Sequence, residues 1–140
     1  MSETNPAQRL ADRSIAVWNV SDPERRRAAV HELWAEHGTH ALQPPRDMRT
    51  QARRLGIREP VLEARGRDAV EFRVTRSYEE FVATGGFVFR SADDARQLRN
   101  VVTFRWHSVL AARDEVSGGG LAVLVLDEEG RIETDHLFVD

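Results

Sequence analysis

The feature that most constrains the fold is the pattern of the last third of the chain, residues 101–140. Three apolar or alternating segments follow one another there: VVTFRWHSVLAAR, GGGLAVLVLDEEG and RIETDHLFVD. Alternation of apolar and polar side chains is typical of strands with one buried face. Because the connections are short, neighbouring strands are predicted to pair antiparallel, with Ser117–Leu121 as a glycine-rich hairpin turn.

The first part of the chain has the spacing of helices instead. Apolar residues recur at helical intervals over about 6–20 and over 23–34. They do so again in a third segment, which starts near 66–68 and ends before Gly85. Ser21 or Asp22 is predicted to cap the second helix, because the proline that follows suits a first helical position. Helices first and most strands last is an α+β order, and we predict a single domain over residues 1–140.

The connections between these helices are predicted from glycines and from β-favouring residues. Gly38 is expected to end the second helix, with His37 in its last turn and THALQ as a short first strand. FVFRS is predicted to be a further strand, and the polar segment 91–99 a loop.

Residues 44–60 are interpreted as an insertion or flap, because prolines bound the segment and few of its residues are apolar. Arg46 to Leu55 is predicted to be a short, very basic helix, held down by Leu55, Ile57 and Met48. Two interpretations of this basic segment stay open. It is either a solvated flap that acts as a lid over a pocket mouth, or a contact for an anionic partner.

Composition excludes several classes of function. The formal net charge of the 140-residue chain is −3, so no general attraction to nucleic acid or to an anionic membrane is expected. All twenty basic residues are Arg, which we interpret as the codon bias of a GC-rich bacterial genome. The absence of Cys excludes disulfides, thiolate metal sites and a Cys nucleophile. The first residues lack the pattern of a signal peptide and no segment has the length of a membrane helix, so a cytoplasmic location is expected.

The segment LAVLVL is apolar at both strand parities, unlike the segments on either side of it. An antiparallel sheet with one face in water should alternate, so a second layer is expected to cover the outer face. The helices can cover only the inner face. A homodimer formed through the outer sheet face is therefore predicted, and the alternative is that Ala and Val are simply tolerated at half-exposed positions.

The ordered segments together resemble the nuclear transport factor 2-like superfamily, and within it the SnoaL-like branch. The segments that carry the resemblance are AVWNVSDPERRRAAVHELWAEHGTH, EARGRDAV, VVTFRWHSV and LVLDEEGRIETDHLFVD. The resemblance implies a cystatin-like cone, in which a curved antiparallel sheet wraps around three helices from the N-terminal half. It also implies an apolar pocket that opens at one end of the cone, and dimers are common in this superfamily.

The catalytic acids of isomerase-like members of this superfamily do not transfer to this chain. Their general base on the first strand falls at Leu42 or Gln43, neither of which can act as a carboxylate. Their tyrosine on the first helix falls at Ser14, and their protonated acid falls on LAVLVL, which contains no acid. Steroid-type isomerisation is therefore not expected, and no acid is predicted at an inward position of the cone.

Strand parity predicts a pocket lined by aromatic rings and two imidazoles. His40 and His136 are the candidate acid–base residues, because imidazole titrates near neutral pH. Asp135 is interpreted as a poor partner for His136, since neighbours in a strand point to opposite faces. The predicted pocket residues are Trp18, His40, Leu42, Tyr78, Phe104, Trp106, His136 and Phe138.

Three hypotheses for function follow. The first is a protein that binds a hydrophobic small molecule without catalysis. The second is a SnoaL-like cyclase, isomerase or dehydratase for a polycyclic or polyketide-like substrate, with His40 or His136 as the base. The third is a dimeric interaction module without a ligand. No cofactor is predicted, and His37 with His40 is not expected to form a metal site, because no third ligand lies at a suitable spacing.

Overall fold

The computed structural model describes residues 5–140. Residues 1–4 lie outside the described part, and they belong to the segment in which no signal peptide is expected. The helices are α1 (Pro6–Ala16), α2 (Pro23–Leu33), α3 (Arg46–Arg54) and α4 (Arg67–Ser77). A 3₁₀ turn, Val17–Asn19, extends α1, and a π-helix, Tyr78–Thr84, extends α4. The strands are β1 (Trp34–Leu42), β2 (Leu62–Arg65), β3 (Phe87–Ser91), β4 (Arg96–Leu98), β5 (Val101–Leu110), β6 (Glu115–Leu126) and β7 (Ile132–Val139). None of the helices in residues 5–140 is long and apolar enough to cross a membrane.

The strands form one curled, open sheet in the order β2-β1-β7-β6-β5-β3, with β4 paired to β5. All pairs are antiparallel except β1 with β7, which is parallel. The predicted α+β fold is confirmed. The parallel pairing of β1 with β7 was not predicted from the sequence. The core lies between the concave face of the sheet and the helices, where Val102, Phe104 and Val74 are at most 1% exposed.

The second helix begins where the sequence predicts and ends earlier. Asp22 caps it, because its side chain accepts a hydrogen bond from the backbone N–H of Arg25 at 2.9 Å. The chain is already extended at Trp34, so Gly38 lies inside β1 and does not end the helix, and His37 is an exposed strand residue. Glycine is required at position 38 by close approach, since a Cβ there would lie 2.7 Å from the carbonyl oxygen of Ile132.

The glycines of Ser117–Leu121 lie inside β6 and do not form the predicted turn, which falls at residues 111–114 instead. A Cβ on Gly119 would collide with the carbonyl oxygen of Trp106, and one on Gly120 would collide with that of Phe138. These glycines therefore allow β5 and β7 to approach β6 closely. The segment 91–99 also contains a strand, β4, where a loop was expected.

The basic helix α3 forms as predicted, but its expected anchors do not hold it. Met48 is 49% exposed, Ile57 is 50% exposed and Leu55 is 80% exposed. Contact with the rest of the molecule comes instead from Arg49, whose Nη1 donates to the carbonyl oxygens of Pro44 at 2.9 Å and Val139 at 3.1 Å.

The parity of β7 changes within the strand. Leu126 pairs with Ile132 and Val125 pairs with Thr134, so Glu133 is an extra residue in the ladder, as in a β-bulge. Ile132 and Asp135 are both buried, whereas an unbroken alternation would place them on opposite faces. Beyond the bulge, Asp135 is the inward residue and its neighbour His136 is outward.

Candidate functional site

A cavity of about 780 Å³ lies between the concave face of the sheet and the helices α1 and α4. Its wall is mostly apolar, with Ile15 from α1, Ala69 from α4 and Leu137 from β7. The aromatic side chains that line it are Trp18, Phe72, Phe81, Phe87, Phe89 and Trp106. Cavities of this size and composition are typical of sites for small organic molecules.

Aromatic rings contact one another along one wall of the cavity. The ring centroid of Phe89 lies 6.1 Å from that of Trp106 and 6.4 Å from that of Phe81, the second pair edge to face. Trp106 is fixed further because its indole N–H donates to the carbonyl oxygen of Phe138 at 3.2 Å. Phe81 belongs to the π-helix, a local widening that is frequent at functional sites, and 48% of it is exposed. A flat ligand would therefore meet a continuous aromatic surface.

The most deeply buried polar group in the cavity wall is the imidazole of His40, which is 1% exposed. The ring of Trp18 packs against it, with 5.0 Å between the centroids. The parallel register of β1 and β7 pairs His40 with Asp135, so both side chains point to the inner face. Nε2 of His40 lies 4.0 Å from Oδ2 of Asp135, which is itself 4% exposed. The core of the cone therefore contains an imidazole beside a carboxyl group.

Arg73 of α4 determines which nitrogen of His40 carries the proton. Its Nη1 lies 3.0 Å from Nδ1 of His40 and also donates to the carbonyl oxygens of His40 at 3.1 Å and Leu62 at 2.9 Å. A guanidinium can only donate, so Nδ1 is the acceptor, and neutral His40 carries its proton on Nε2. That N–H is on the side of the ring that faces Asp135.

Burial shifts the two pKa values in opposite directions. Desolvation, and second the positive charge of Arg73, lower the pKa of His40 to about 3. Desolvation raises the pKa of Asp135 to about 7. At neutral pH His40 is therefore uncharged, and the pair is a neutral imidazole beside a carboxyl group that titrates near pH 7, not a salt bridge.

Two atoms of this pair are buried and lack a hydrogen-bond partner among residues 5–140: Nε2 of His40 and Oδ1 of Asp135. A buried polar atom without a partner costs roughly 1–3 kcal/mol, and the described residues hold three more such atoms outside the cavity, on His31, Trp34 and Glu71. Together with the shifted pKa values, this marks the pair as a candidate for binding a polar atom or moving a proton.

Four of the predicted pocket residues line the cavity: Trp18, His40, Leu42 and Trp106. Two others lie elsewhere on the inner side. Phe104 is 1% exposed and packs in the core. The ring of Tyr78 is covered by Arg26, whose guanidinium carbon lies 4.7 Å from the ring centroid.

The prediction that His136 and Phe138 point inward is wrong, because the bulge at Glu133 reverses the parity of β7. Both side chains lie on the outer side of the sheet, where Phe138 is 44% exposed. His136 is therefore not available as a base in the cone. The same reversal makes the expectation of an acid-free cone wrong, because it turns Asp135 inward.

Sequence reasoning missed Asp135 and Arg73. A signal for Asp135 was present, since it shares its parity with the apolar residues Leu137 and Val139. Arg73 gave no signal, because an arginine on a helix is ordinarily a solvated residue. Ser14, the position of the tyrosine in isomerase-like proteins, is 2% exposed and donates to the carbonyl oxygen of Ala11 at 2.9 Å. Within the described part of the chain, no three or more His, Asp or Glu side chains are placed to hold a metal ion.

Comparison with solved structures finds the same architecture in several bacterial proteins. A candidate isomerase of the SnoaL-like family from Agrobacterium tumefaciens superposes with a TM-score of 0.76 and 24% identity, over 96% of this chain and 97% of that one. A SnoaL-like protein of unknown function from Burkholderia thailandensis gives 0.63 and 15%, over 96% and 94% of the two chains. A nuclear transport factor 2-like protein of unknown function from Exiguobacterium gives 0.59 and 16%, over 94% and 98%.

No family model matches the sequence, and no curated protein matches it either. These three structural likenesses are each below 25% identity, so they establish the fold and not the activity. The chain therefore has the nuclear transport factor 2-like, cystatin-like fold, in the form found in SnoaL-like proteins.

Proposed function

We propose that the protein binds a small, ring-bearing apolar molecule inside the cone, with one polar atom of the ligand directed toward His40. The observation that carries the proposal is the aromatic cavity of about 780 Å³ with a single fully buried imidazole in its wall. Apolar walls supply affinity by removing ring surface from water, at roughly 25 cal/mol per Å². One well-placed polar group then fixes the orientation of the ligand.

The test of binding is a titration with a neutral ring compound, 2-naphthol, followed by calorimetry and by the melting temperature. A bound ligand stabilises the native state by mass action. Ala69→Phe, which places a ring in the cavity, is expected to weaken binding at least tenfold. Ala112→Phe makes the same change in the exposed β5–β6 turn and is expected to leave binding unchanged. Equal affinity in both variants would show that the ligand binds outside the cone.

A second candidate function is acid–base catalysis, as in a cyclase, isomerase or dehydratase of the SnoaL-like type. The observation that favours it is the pair His40–Asp135, because a group whose pKa lies near 7 can both take and return a proton at neutral pH. Asp135 is the proton-exchanging group in this proposal; His40 lines the cavity, and Asp135 lies behind it with Oδ2 4.0 Å from Nε2, so the substrate has to reach past the imidazole. His40, whose pKa is about 3, positions the substrate as a neutral donor. Polycyclic or polyketide-like ketones are the proposed substrate class.

Exchange of the protons next to a ring ketone carbonyl tests this chemistry without knowledge of the natural substrate. In heavy water, the protein is expected to accelerate deuterium incorporation into 2-tetralone, followed by NMR. Asp135→Asn should reduce the rate by about a hundredfold or more while 2-tetralone still binds. Glu63→Gln, at the exposed edge of the cavity, is the control and should retain the rate. Exchange at the wild-type rate in Asp135→Asn would show that Asp135 is not the proton-exchanging group, and no acceleration by the wild type would leave the protein as a binding protein only.

We also propose that the protein forms a homodimer through the outer face of the sheet. Leu121, Val123 and Val125 are the outward residues of β6, and each is only half-buried in the monomer. Association would remove this apolar strip from water. Sedimentation velocity is expected to give a dimer for the wild type and a monomer for Val123→Arg. A wild type that stays monomeric at the highest concentration the instrument allows would contradict the proposal.

A further inference from the structure

A second cavity, of about 380 Å³, lies beside the outward side chains of β1 and β7 and under the segment that follows β1. Three arginines of that segment line it, Arg49, Arg53 and Arg58, and His136 of β7 lies opposite them in the lining. We call this cavity the arginine groove. No side chain of residues 46–58 lines the cone cavity. The basic segment therefore does not form the predicted lid over the pocket mouth.

The positive charge of the arginine groove is not neutralised within the described residues. Seven arginines elsewhere in residues 5–140 have a carboxylate oxygen within 4.0 Å. None of the three groove arginines has one in the described part of the chain. Glu59 also lines the groove, but it forms no ion pair with them. Arg53 and Arg58 are exposed, so their planar donor forks are free to bind an oxyanion.

One of the arginines is held in place. Arg49 uses a single terminal nitrogen, Nη1, to donate to the carbonyl oxygens of Pro44 and Val139. Val139 is the last residue of β7 and Pro44 lies two residues after β1, so the guanidinium is fixed beside the ends of these strands. A fixed cation contributes to binding without first losing side-chain freedom, which favours a specific anion site over a mobile charged surface.

The remaining lining is apolar and partly open to solvent. Phe138 of β7 is 44% exposed and Val61 is 53% exposed, and Leu42 and Leu137 form the wall shared with the cone cavity. An inorganic ion would use only the arginines. A ligand with an apolar body would also cover Phe138 and Val61.

From this arrangement we propose that the arginine groove binds a small organic anion, a phosphate or a carboxylate attached to an apolar body. The oxyanion pairs with Arg53 and Arg58 beside the fixed charge of Arg49, and the body packs on Phe138. This site is separate from the ligand site proposed for the cone, since the side chains of Leu42 and Leu137 lie between the two cavities. The two proposals therefore succeed or fail independently.

The experiment is a calorimetric titration of the full chain with phenyl phosphate at low salt. The double variant Arg53→Gln/Arg58→Gln is expected to bind at least tenfold more weakly than the wild type. Arg54→Gln is the matched control, because it removes the same charge from the adjacent position of α3 but does not line the groove. It is expected to reduce the affinity by less than about twofold, through long-range charge only. If Arg54→Gln lost as much affinity as Arg53→Gln or Arg58→Gln alone, the attraction would be one of diffuse charge and the proposal would be overturned. The absence of any binding by the wild type would overturn it as well.

Three further arms define the ligand. Phenylacetate in place of phenyl phosphate distinguishes a carboxylate site from a phosphate site. Phe138→Ala should weaken phenyl phosphate several-fold and leave inorganic phosphate unchanged, and an equal effect on both would contradict the apolar contact. Ala69→Phe fills the cone, so it should leave phenyl phosphate binding intact. A loss of binding in Ala69→Phe would place the anion in the cone and overturn the assignment to the groove.

Discussion

A histidine and at least one arginine lie on each side of the β1–β7 pair, in opposite circumstances. On the inner side, His40 and Asp135 are buried and Arg73 is tied to three acceptors. On the outer side, His136, Arg53 and Arg58 are exposed. Inside, removal from water decides which groups are charged. Outside, Arg53 and Arg58 remain in water, and what matters is the ion that approaches them.

This difference determines what each side can do. A carboxyl group whose pKa is raised to about 7 can exchange a proton at neutral pH, so the inner side is suited to proton transfer or to a directed hydrogen bond. Exposed guanidinium groups do not titrate in the physiological range and are screened by salt, so the outer side is suited to anion binding. Substitutions of corresponding residues on the two sides test whether this difference is real.

The largest expected effect is on the pH dependence of stability, through Asp135 and His40. The folded pKa of Asp135 is about 7, above its ordinary value of 3.8, so the folded state holds the proton more tightly. Its contribution to the free energy of unfolding therefore falls as the pH rises from about 4 to 7. The folded pKa of His40 is about 3, below its ordinary value of 6.5. The contribution of His40 to the free energy of unfolding is lost as the pH falls from about 6.5 to 3. This contribution therefore increases with pH over the range in which the contribution of Asp135 decreases.

Between about pH 4 and 6.5 the two contributions oppose each other. Removing either group should therefore leave the pH dependence of the other group visible. Relative to the wild type, Asp135→Asn is expected to gain stability with rising pH, by roughly 1 kcal/mol per pH unit. His40→Gln is expected to gain stability with falling pH over the same range. Urea unfolding at half-unit pH steps measures both difference curves.

His136→Gln supplies the control from the outer side of the same strand. Because its ring is exposed, this substitution is expected to change the free energy of unfolding at pH 7 by less than about 0.5 kcal/mol. Parallel stability curves for Asp135→Asn and the wild type would show that the carboxyl group is not perturbed by burial, and the contrast between the two sides would then be lost.

The fold was predictable from the sequence because its signals are local and repeated. The cap at Asp22, the helical spacing around Val70 and Val74, and the alternation through Val102, Phe104 and Trp106 each depend on neighbours within a few positions. His40 was placed inward correctly for the same reason, since β1 alternates between buried and half-buried positions from Gly38 to Ala41.

The site was less predictable because it depends on a single irregularity. One extra residue, Glu133, exchanges the faces of every position after it in β7, so the carboxyl group enters the cone and the second imidazole leaves it. No local pattern marks that residue. The glycines of β6 were misinterpreted in a similar way, because their role is to admit the backbones of β5 and β7 and those strands are distant in sequence.

The next effect in size concerns Arg73. Arg73→Leu is expected to reduce the free energy of unfolding by about 2–4 kcal/mol, because Nδ1 of His40 and two carbonyl oxygens lose their donor together. The pKa of His40 should rise at the same time, since the second cause of its depression is removed. Urea unfolding at pH 7 measures the first effect, and NMR titration of the His40 ring measures the second.

Arg76→Leu is the control for that variant, one turn further along α4. Within residues 5–140 its guanidinium pairs only with Glu79 and Glu80, at 3.9 Å and 3.5 Å, and all three side chains are exposed. Exposed pairs of this kind contribute about 0–1 kcal/mol. A loss in Arg76→Leu as large as that in Arg73→Leu would mean that helix packing, rather than the bonds to His40, explains the effect.

The smallest expected effect completes the comparison on the outer side. Arg53→Gln should change the free energy of unfolding by less than about 0.5 kcal/mol, as is usual for surface substitutions. Two small effects oppose each other there. Relief of repulsion from Arg49 and Arg58 stabilises the variant, and loss of a cation in the last turn of α3 destabilises it. Both effects are electrostatic and exposed, so the difference should shrink further when unfolding is measured in about 1 M salt. A loss above 1 kcal/mol that persists at high salt would show that Arg53 is a structural residue like Arg73, and the outer side would then no longer differ in kind from the inner one.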